Sequence, residues 1–375
     1  MSGINPYLWV DNNQEFEQLC KIFATKTWLT LDTEFIRETT YYAIPGLLQF
    51  SDGETNWLVD PIGIDNWIPF KQLLDSNILW VMHACSEDLE VLYQLTSTTP
   101  KNLFDTQVAA HFVGLGQSLG YQKLIDELCQ IFLEKGESRT NWLKRPLSEK
   151  QLNYATDDVH YLAIGWKVLQ QQLIDKNMHQ YFLEDMKKLA SWQVVDSESI
   201  YKKVKLSWTL SSQDEVNRLQ AVAEWREKRA QIKDRPKRRI LSDESLIEIA
   251  KIGPESLNDF ASMETFTSRQ VSIIGDSILE VIVAANKTHH KYSAVRRSVE
   301  ISGSKQLIKQ WKICANEIAQ SHQIPPTLLF TNGLLDTVFK NHLQLSNGLP
   351  KMWPGWRENL LNDSFLEILQ QQDML

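Results

Sequence analysis

The chain has 375 residues, of which 43% are hydrophobic and 23% are charged, with a formal net charge of −8. These values fit a globular protein of two or three domains, and the net charge excludes little about nucleic acid because it averages over domains. No apolar run approaches the roughly 20 residues of a membrane span, the first residues resemble no secretion signal, and the four scattered cysteines form neither a zinc motif nor a disulfide framework. We therefore expect a cytoplasmic monomer without an obligate protein partner and without membrane attachment.

The first 195 or so residues contain short, β-prone apolar segments separated by turn-like stretches. Strands are predicted at residues 28–35, 46–51, 55–59 and 78–83, and a shorter one at 103–104. The connections between the first three strands are too short for crossover helices. These three strands are therefore expected to form an antiparallel meander.

Helical spacing of apolar residues appears after the fourth strand. Helices are predicted at residues 86–95, 106–113, 121–133 and 148–174. Ser86 is a candidate N-cap of the first of them, and Ser148 with Glu149, just after Pro146, favours a helix start. The mixed order of elements predicts an α/β domain with a mixed central sheet and flanking helices.

From about residue 210 the strand signals stop. Two all-helical segments are predicted at 212–290 and 300–372, after a linker at 195–211, and they are similar to each other at an offset of 89 positions. In both copies a Ser/Thr–Asp/Asn pair is expected to cap the next helix, which favours a duplicated helical domain over a merely shared helix–loop–helix pattern. The matching residues are Ala230-Gln231, Pro236, Ser242-Asp243 and Leu246 in one copy, and Ala319-Gln320, Pro325, Thr331-Asn332 and Leu335 in the other.

Acidic residues occur at positions that a two-metal site would need. Asp32 and Glu34 are two apart in a predicted strand and therefore point to the same face. Asp88 lies in the first turn of a predicted helix, and Tyr154 and Asp158 are four apart in another, so they share a face. Close carboxylates repel each other by roughly 1–4 kcal/mol per pair. A fold that retains such a cluster is expected to fill it with cations.

Each of these residues also has an ordinary interpretation. Asp32 and Glu34 could be exposed charge at a sheet edge, and Asp88 could be favoured only by the helix dipole. Tyr154 could be a core aromatic residue and Asp158 a solvated one. The chain contains no G-x-G-x-x-G or Walker-type glycine loop, so dinucleotide and P-loop chemistry are poor alternatives.

The joint pattern resembles a known family. An Asp-x-Glu, an Asp at a helix start about 55 residues later and a Tyr-x-x-x-Asp about 70 further on are similar to the DEDD 3′→5′ exonucleases of the tyrosine subgroup. The segments LDTEF, MHACSEDLEVL and SRTNWLKRPLSEKQLNYATDDVHYL resemble the ribonuclease D family, and RLQAVAEWREKRAQIKDRPKRRILSDESLIEIAK resembles the HRDC domain. The resemblance implies a ribonuclease H-like exonuclease domain at 1–195, an HRDC domain at 212–290 and a diverged HRDC-like domain at 300–372.

The resemblance also implies the roles of the acidic residues. Asp32, Glu34, Asp88 and Asp158 would bind metal, and Tyr154 would position the attacking water, so all five are candidate catalytic residues. Oxygen ligands without Cys or His suit Mg²⁺ or Mn²⁺ and not Zn²⁺. Two such ions would balance four carboxylates and clamp a scissile phosphate. Because an unperturbed tyrosine has a pKa near 10, we assign orientation and not deprotonation to Tyr154.

Other polar residues near these motifs are given structural or open roles. Asp105 is expected to cap the helix that starts at Thr106, and His83 to be a buried, hydrogen-bonded residue. Asp157 would face away from the cluster, and Trp353 and Trp356 are expected in a core. Two interpretations stay open for three basic residues, which either contact phosphate or only solvate a loop: Arg139, Lys144 and Arg145.

The run from Trp225 to Arg239 is strongly basic, with eight Lys or Arg against two acids. A solvated helix face is the ordinary interpretation, but this density of charge favours phosphate binding, which positions a substrate without reading its sequence. The predicted nucleic-acid-binding residues are Arg226, Lys228, Arg229, Lys233, Lys237, Arg238 and Arg239.

Together these observations predict a divalent-metal-dependent 3′→5′ exoribonuclease that releases nucleoside 5′-monophosphates. The resemblance implies that its partners are RNAs with a free 3′ end, mainly tRNA precursors and other small structured RNAs. Two alternatives stay open: trimming of DNA at the same site, and a non-catalytic RNA-binding protein. The intact carboxylates argue against the second, because a protein without metals has little reason to keep a self-repelling cluster.

Overall fold

The computed structural model describes residues 5–133, 136–191, 197–287, 292, 304–331, 333–335 and 355–371. They fall into two compact units. The first contains the described residues of 1–36, 43–192 and 303–375, and the second those of 37–42 and 193–302. In this part of the chain no helix is long and apolar enough to cross a membrane. The domain boundaries expected from the sequence stay predictions.

A six-stranded mixed sheet forms the centre of the first unit, in the order β1-β4-β3-β2-β5-β6. Strands β2, β3 and β4 pair antiparallel, which confirms the predicted meander, while β1 joins β4, and β5 and β6 extend from β2, in parallel. Strand β1 was not predicted, because a four-residue edge strand shows too little alternation. The strands are β1 (Tyr7–Val10), β2 (Trp28–Ile36), β3 (Ile44–Ser51), β4 (Asn56–Val59), β5 (Leu79–Met82) and β6 (Asn102–Asp105).

Helices cover the sheet of the first unit. Four of them lie where the sequence predicts them, and Ser148 forms the expected capping box at the start of α6. Helix α5 is shorter than predicted because Gln130 adopts a left-handed conformation (φ 56°) that ends it. Helices α1, α2 and α7 were not predicted. The bounds are α1 (Asn13–Phe23), α2 (Ile68–Leu74), α3 (Ser86–Thr96), α4 (Thr106–Val113), α5 (Tyr121–Cys129), α6 (Glu149–Asp175) and α7 (His179–Ala190).

Aromatic side chains form the core between these helices and the sheet. Phe50 of β3 contacts Phe23 of α1 and Phe70 of α2, with ring centroids 5.0 and 5.6 Å apart. Phe104 of β6 packs against Trp166 of α6 and Phe182 of α7, at 5.5 and 4.7 Å. This burial of large apolar surface fixes helix α6, which carries part of the acidic cluster, against the strands that carry the rest.

The carboxylate of Asp105 organises the starts of two helices. It accepts hydrogen bonds from two backbone N–H groups in the first turn of α4, at 2.8 and 3.2 Å. It also accepts from the N–H groups of Ala84 and Cys85, which precede α3, at 3.2 and 2.9 Å. The predicted capping role of Asp105 is confirmed. The prediction for Ser86 is wrong, because Ser86 is the first residue of the helix and not its cap.

The segment between α5 and α6 attaches to the sheet through Arg145. Its guanidinium contacts both carboxylate oxygens of Asp60, at 2.5 and 2.6 Å, and donates to the carbonyl oxygens of Gly46 and Trp142. Gly46 leaves no room for a side chain, because a Cβ there would lie 2.6 Å from the Cβ of Trp142. Arg145 was expected either to contact phosphate or only to solvate a loop. Both expectations are wrong, because its guanidinium donates hydrogen bonds within the fold.

The described part of the second unit contains helices α8 (Gln213–Lys233), α9 (Lys237–Ile240), α10 (Asp243–Ile252) and α11 (Ser268–Asn286). Their facing sides share one apolar core that includes the fully buried residues Leu219, Leu246 and Ile278. The absence of strand signals from about residue 210 thus corresponds to helical structure, as predicted.

Helices α12 (Ser304–Ser321), α13 (Pro326–Leu329) and α14 (Trp356–Gln371) belong to the first unit. Helices α12 and α14 pack through the stacked rings of Trp311 and Phe365, whose centroids are 4.9 Å apart. This contact is central to the core of the C-terminal segment.

Helix α14 also contacts α7. The ring of Trp356 stacks on Tyr181 at 4.5 Å, and the guanidinium of Arg357 pairs with both carboxylate oxygens of Asp185 at 2.9 and 2.8 Å. Trp356 is a core residue, as expected, whereas Trp353 lies outside the described residues.

The two helical segments repeat the same local structures. Helices α8 and α12 are each followed by a left-handed residue, Asp234 (φ 45°) and Gln323 (φ 55°). Each is followed by a proline-capped helix of four residues, α9 and α13. The hydroxyls of Ser242 and Thr331 then accept a hydrogen bond from the backbone N–H three residues later, at 3.0 and 3.1 Å. This agreement supports the predicted duplication, although Asn332 lies outside the described residues.

Replacing Arg145 by alanine tests its structural role. The change leaves the buried carboxylate of Asp60 without its cation, which typically costs about 3 kcal/mol, so we expect the Tm to fall by roughly 5–10 °C. Thermal unfolding of Arg145→Ala beside Lys144→Ala measures this, because Lys144 is exposed and adjacent. Equal Tm values for the two variants would contradict the assignment.

Candidate active site

Three carboxylates meet at one end of the sheet. Asp32 and Glu34 lie on β2 and Asp158 on α6, and each offers an oxygen within 4.8 Å of the others. The alternation of a strand places Asp32 and Glu34 on one face, as the sequence predicts. Convergence of residues more than 120 positions apart argues against the ordinary interpretation of exposed edge charge.

Asp88 lies beside this group in the first turn of α3. Its carboxylate accepts a hydrogen bond from the hydroxyl of Thr33, at 2.5 Å, and its charge raises the pKa of Asp32. Asp88 is not among the three residues within 4.8 Å of one another. Hydrogen bonds from the backbone of Thr33 and of Asp88 itself also reach this carboxylate and help to orient it. Thr33 has no separate signal in the sequence beyond its position between Asp32 and Glu34.

Two hydroxyl groups fix the turn of α6 that carries Asp158. The hydroxyl of Thr30 on β2 donates to the backbone carbonyl of Val159, at 3.1 Å. The hydroxyl of Tyr121 on α5 donates to the backbone carbonyl of Asp157, at 2.8 Å. The residues on both sides of Asp158 are thereby attached to neighbouring elements, which limits movement of its carboxylate.

Tyr154 lies one helical turn before Asp158 and hydrogen-bonds to its carboxylate. The ring packs near Trp142, with centroids 6.2 Å apart, in a small apolar cluster. Burial, followed by the charge of Asp158, raises the pKa of Tyr154 well above the usual range. Tyr154 therefore remains protonated at neutral pH and can bind a water molecule but not deprotonate it.

The acidic side chains are largely desolvated, and burial is the first cause of a raised pKa in each. Burial and the charges of Asp88 and Asp158 raise the pKa of Asp32 well above its ordinary value. Burial and the neighbouring carboxylates raise the pKa of Glu34 to about 10. Burial raises the pKa of Asp88 to about 6 and that of Asp158 to about 8. Part of this cluster is protonated at neutral pH when no cation is bound.

The donor set fits a hard divalent cation. All the ligands offered are carboxylate oxygens, and no Lys or Arg is ion-paired to these four residues in the described part of the chain. Such a site suits Mg²⁺ or Mn²⁺. The raised pKa values indicate that the ionised carboxylates are destabilised by burial and by their neighbours when no cation is bound.

The remaining polar residues near the motifs have structural contacts. Nδ1 of His83 lies 2.9 Å from the hydroxyl of Thr106, and burial lowers the pKa of His83, as expected of a buried residue. Asp157 accepts a hydrogen bond from Asn5 at 2.8 Å and is not in the acidic group. Its contact with Asn5 supports the predicted orientation away from the acidic group.

Within the second unit, the basic run on α8 and α9 divides into structural and exposed residues. The prediction for Arg226 is wrong: it is buried, donating to Asp243 at 2.7 Å and to the carbonyl of Leu241. Lys237 contacts the buried Glu227 at 3.1 Å. The remaining predicted contacts stay predictions; Lys228, Lys233, Arg238 and Arg239 are exposed, and Arg229 is half-buried.

Comparison with known proteins gives consistent matches along the chain. Residues 7–174 match the 3′-5′ exonuclease family DNA_pol_A_exo1, and residues 215–282 match the HRDC domain. The chain is 34% identical to ribonuclease D of Pseudomonas paraeruginosa, over 96% of this chain and 97% of that protein. It is 29% identical to ribonuclease D of Escherichia coli K12, over 97% and 99%.

A solved structure extends the match to three dimensions. The crystal structure of Escherichia coli RNase D, described as an exoribonuclease involved in structured RNA processing, matches with a TM-score of 0.89 and 29% identity. The match covers 98% of this chain and 99% of that one. The predicted fold class, a mixed sheet with flanking helices followed by helical segments, is confirmed.

Metal-free protein should lose stability as pH rises. The acidic cluster has folded pKa values of about 6, 8 and 10, above the value of about 4 in an unfolded chain, so the folded state binds more protons. Its contribution is most favourable below about pH 4 and is lost as pH rises through the folded values. In EDTA we expect the Tm to fall from about pH 4 to about pH 10, and Mg²⁺ to raise it by an increment that grows with pH.

Differential scanning fluorimetry in EDTA and in excess Mg²⁺ measures this increment. Asp158→Asn is the control, because it removes one of the raised acids and should flatten the dependence on pH. An increment that is the same at every pH would contradict the assignment of a proton-binding metal site.

Replacing Thr33 by valine removes the hydrogen bond to Asp88 at nearly constant volume. Asp88 then loses the contact that orients its carboxylate, and we expect Mg²⁺ or Mn²⁺ affinity to fall by at least about tenfold. Isothermal titration calorimetry measures the affinity, and Thr33→Ser, which keeps the hydroxyl, should stay close to the original protein. Equal affinities for the valine and serine variants would show that Thr33 has no positioning role.

Proposed function

The chain belongs to the ribonuclease D family of 3′→5′ exoribonucleases, and we propose that it trims the 3′ ends of small structured RNAs, tRNA precursors in particular. The observation that carries the site assignment is the convergence of Asp32, Glu34 and Asp158 within 4.8 Å, with Asp88 beside them. The relative from Escherichia coli is an exoribonuclease involved in structured RNA processing, which supports the choice of substrate. The products would be nucleoside 5′-monophosphates.

The four carboxylates would hold two Mg²⁺ or Mn²⁺ ions. When bound, such ions supply Lewis acidity to the scissile phosphate, activate the attacking water and stabilise the leaving 3′-oxygen. Four negative charges balance two divalent cations, so the substrate phosphate is not repelled from the site. The desolvation seen at Asp32, Glu34 and Asp158 strengthens their attraction for cations.

Tyr154 would orient the attacking water. Its hydroxyl proton is engaged by Asp158, and its raised pKa keeps that proton in place. The lone pairs of the hydroxyl oxygen remain able to accept a hydrogen bond from water. The packing of its ring near Trp142 supports a positioning role.

Glu34 would recognise the free 3′ end. It is a buried side chain beside Asp32 at the end of β2, where an exonuclease must distinguish a terminal hydroxyl from a continuing chain. A hydrogen bond between the Glu34 carboxylate and the 3′-hydroxyl would provide that distinction in addition to metal binding.

The helical segments would bind the folded part of the RNA. HRDC similarity at residues 215–282 and the exposed cations of α8 and α9 support phosphate contacts there. Arg226 is excluded from this surface, leaving Lys228, Arg229, Lys233, Lys237, Arg238 and Arg239. Cytoplasmic location and a monomeric state stay predictions.

Degradation of a labelled tRNA with an extended 3′ tail tests the proposal. We expect stepwise shortening from the 3′ end in Mg²⁺ and none in EDTA. Asp158→Asn should lower the rate by more than about a thousandfold, because it removes a proposed metal ligand. Asp157→Asn is the matched control: it changes the adjacent residue, which lies outside the acidic group, and should stay active.

Two outcomes would contradict parts of this account. An Asp158→Asn protein that digests RNA at the original rate would refute the metal assignment. Equal rates on matched RNA and DNA oligomers would refute selectivity for RNA, because an RNA enzyme is expected to use the 2′-hydroxyl.

A further inference from the structure

A cleft in the first unit extends beyond the acidic cluster. It has a volume of about 670 Å³, and Tyr154 and Asp158 line part of it. Other walls come from Tyr121 and Lys123 at the start of α5 and from Phe132 and Leu133 after this helix. A volume in this range exceeds what one water molecule and a phosphate need, and is in the range of sites for whole small molecules. The cleft can therefore hold RNA beyond the scissile phosphate.

Phe132 is unusually exposed for a large aromatic residue. It is 84% exposed, the highest value for a large hydrophobic side chain in the described part of the chain. A single exposed apolar residue is normal on a protein surface. Phe132, however, lines the same cleft as Tyr154 and Asp158, so its exposed ring borders a space that reaches the proposed reaction site.

Lys123 adds a cation to the same cleft. It is exposed on α5, and no ion pair joins it to a carboxylate within the described ranges. Asp126, one turn later, also lines the cleft, so this wall is polar and not uniformly basic. Tyr121, which also lines the cleft, donates a hydrogen bond to the carbonyl of Asp157. The cleft thus combines an exposed ring, one cation and a rigid wall.

We propose that this cleft binds the single-stranded RNA just upstream of the 3′-terminal nucleotide, with Phe132 stacking on a base and Lys123 contacting a phosphate. The inference rests on the proposed function, because it takes the acidic cluster as the position of the terminal phosphodiester. The continuity of the cleft with Tyr154 and Asp158 is the reason for choosing RNA as the occupant. Aromatic stacking and a phosphate contact tolerate any base, as a trimming enzyme requires.

The inference predicts that catalysis depends on substrate length. A dinucleotide places only its terminal phosphodiester in the site, whereas a longer RNA also reaches Phe132. Replacing Phe132 by alanine should lower kcat/KM on an octanucleotide by about five- to 150-fold, the range for loss of one stacked base. Activity on the dinucleotide should remain as in the original protein.

Two further variants make the test specific. Phe132→Trp keeps a stacking surface and should retain activity on the octanucleotide. Ile68→Ala changes another exposed apolar residue, 65% exposed on α2 and outside the cleft lining, and should have no effect on either substrate. Equal losses for Phe132→Ala on both substrates, or no loss on either, would overturn the stacking role.

A spectroscopic measurement tests stacking without catalysis. Octanucleotides carrying 2-aminopurine at successive positions are bound to the Asp32→Asn protein in Mg²⁺. Fluorescence should be quenched at one position upstream of the 3′ end, and Phe132→Ala in the same background should abolish that quenching while Phe132→Trp restores it. Fluorescence that is the same in the alanine variant as in the protein with Phe132 would overturn the inference.

Failure of this inference differs from failure of the proposed function. If the original protein degrades neither substrate, the exonuclease assignment has failed. If it degrades both and Phe132→Ala does the same at equal rates, only the upstream subsite has failed.

Discussion

Mutual repulsion among buried carboxylates is the constraint on which the rest of the structure depends. Asp32, Glu34 and Asp158 lie within 4.8 Å of one another, and burial raises the pKa of each. Such an arrangement is unfavourable unless protons or cations neutralise it. The sheet and helix α6 have to hold these side chains together against that repulsion, and the apolar core between them provides the stability that makes it possible.

Hydrogen bonds outside the acidic group set its geometry. Thr33 orients Asp88. Thr30 and Tyr121 hydrogen-bond to the backbone of α6 at the two residues that flank Asp158. Arg145 fixes the segment that contains Trp142, whose ring lies near that of Tyr154. These groups contact no substrate in our account. They limit the conformational freedom of the residues that would contact the substrate. A preorganised site requires this restriction.

The sequence predicted what depends on local pattern. The meander, helix α6 with its capping box, and the shared face of Asp32 and Glu34 follow from spacing and from cap residues within a few positions, whereas the meeting of these two residues with Asp158 was implied only by the resemblance to a known family. Contacts between distant residues were not predictable in this way. The role of Arg145 depends on Asp60, 85 positions away, and charge density alone assigned Arg226 to RNA although Asp243 buries it in an ion pair. Helix α1 was missed although its apolar residues have helical spacing.

The central claim is that two divalent cations neutralise this cluster. It is tested most directly by crystals of the protein grown with Mn²⁺ and a nucleoside 5′-monophosphate, in which anomalous scattering locates the metal. The account predicts two Mn²⁺ peaks among Asp32, Glu34, Asp88 and Asp158, with the phosphate of the nucleotide next to them. Mn²⁺ bound only elsewhere, or an acidic cluster that stays without cations at saturating Mn²⁺, would contradict it.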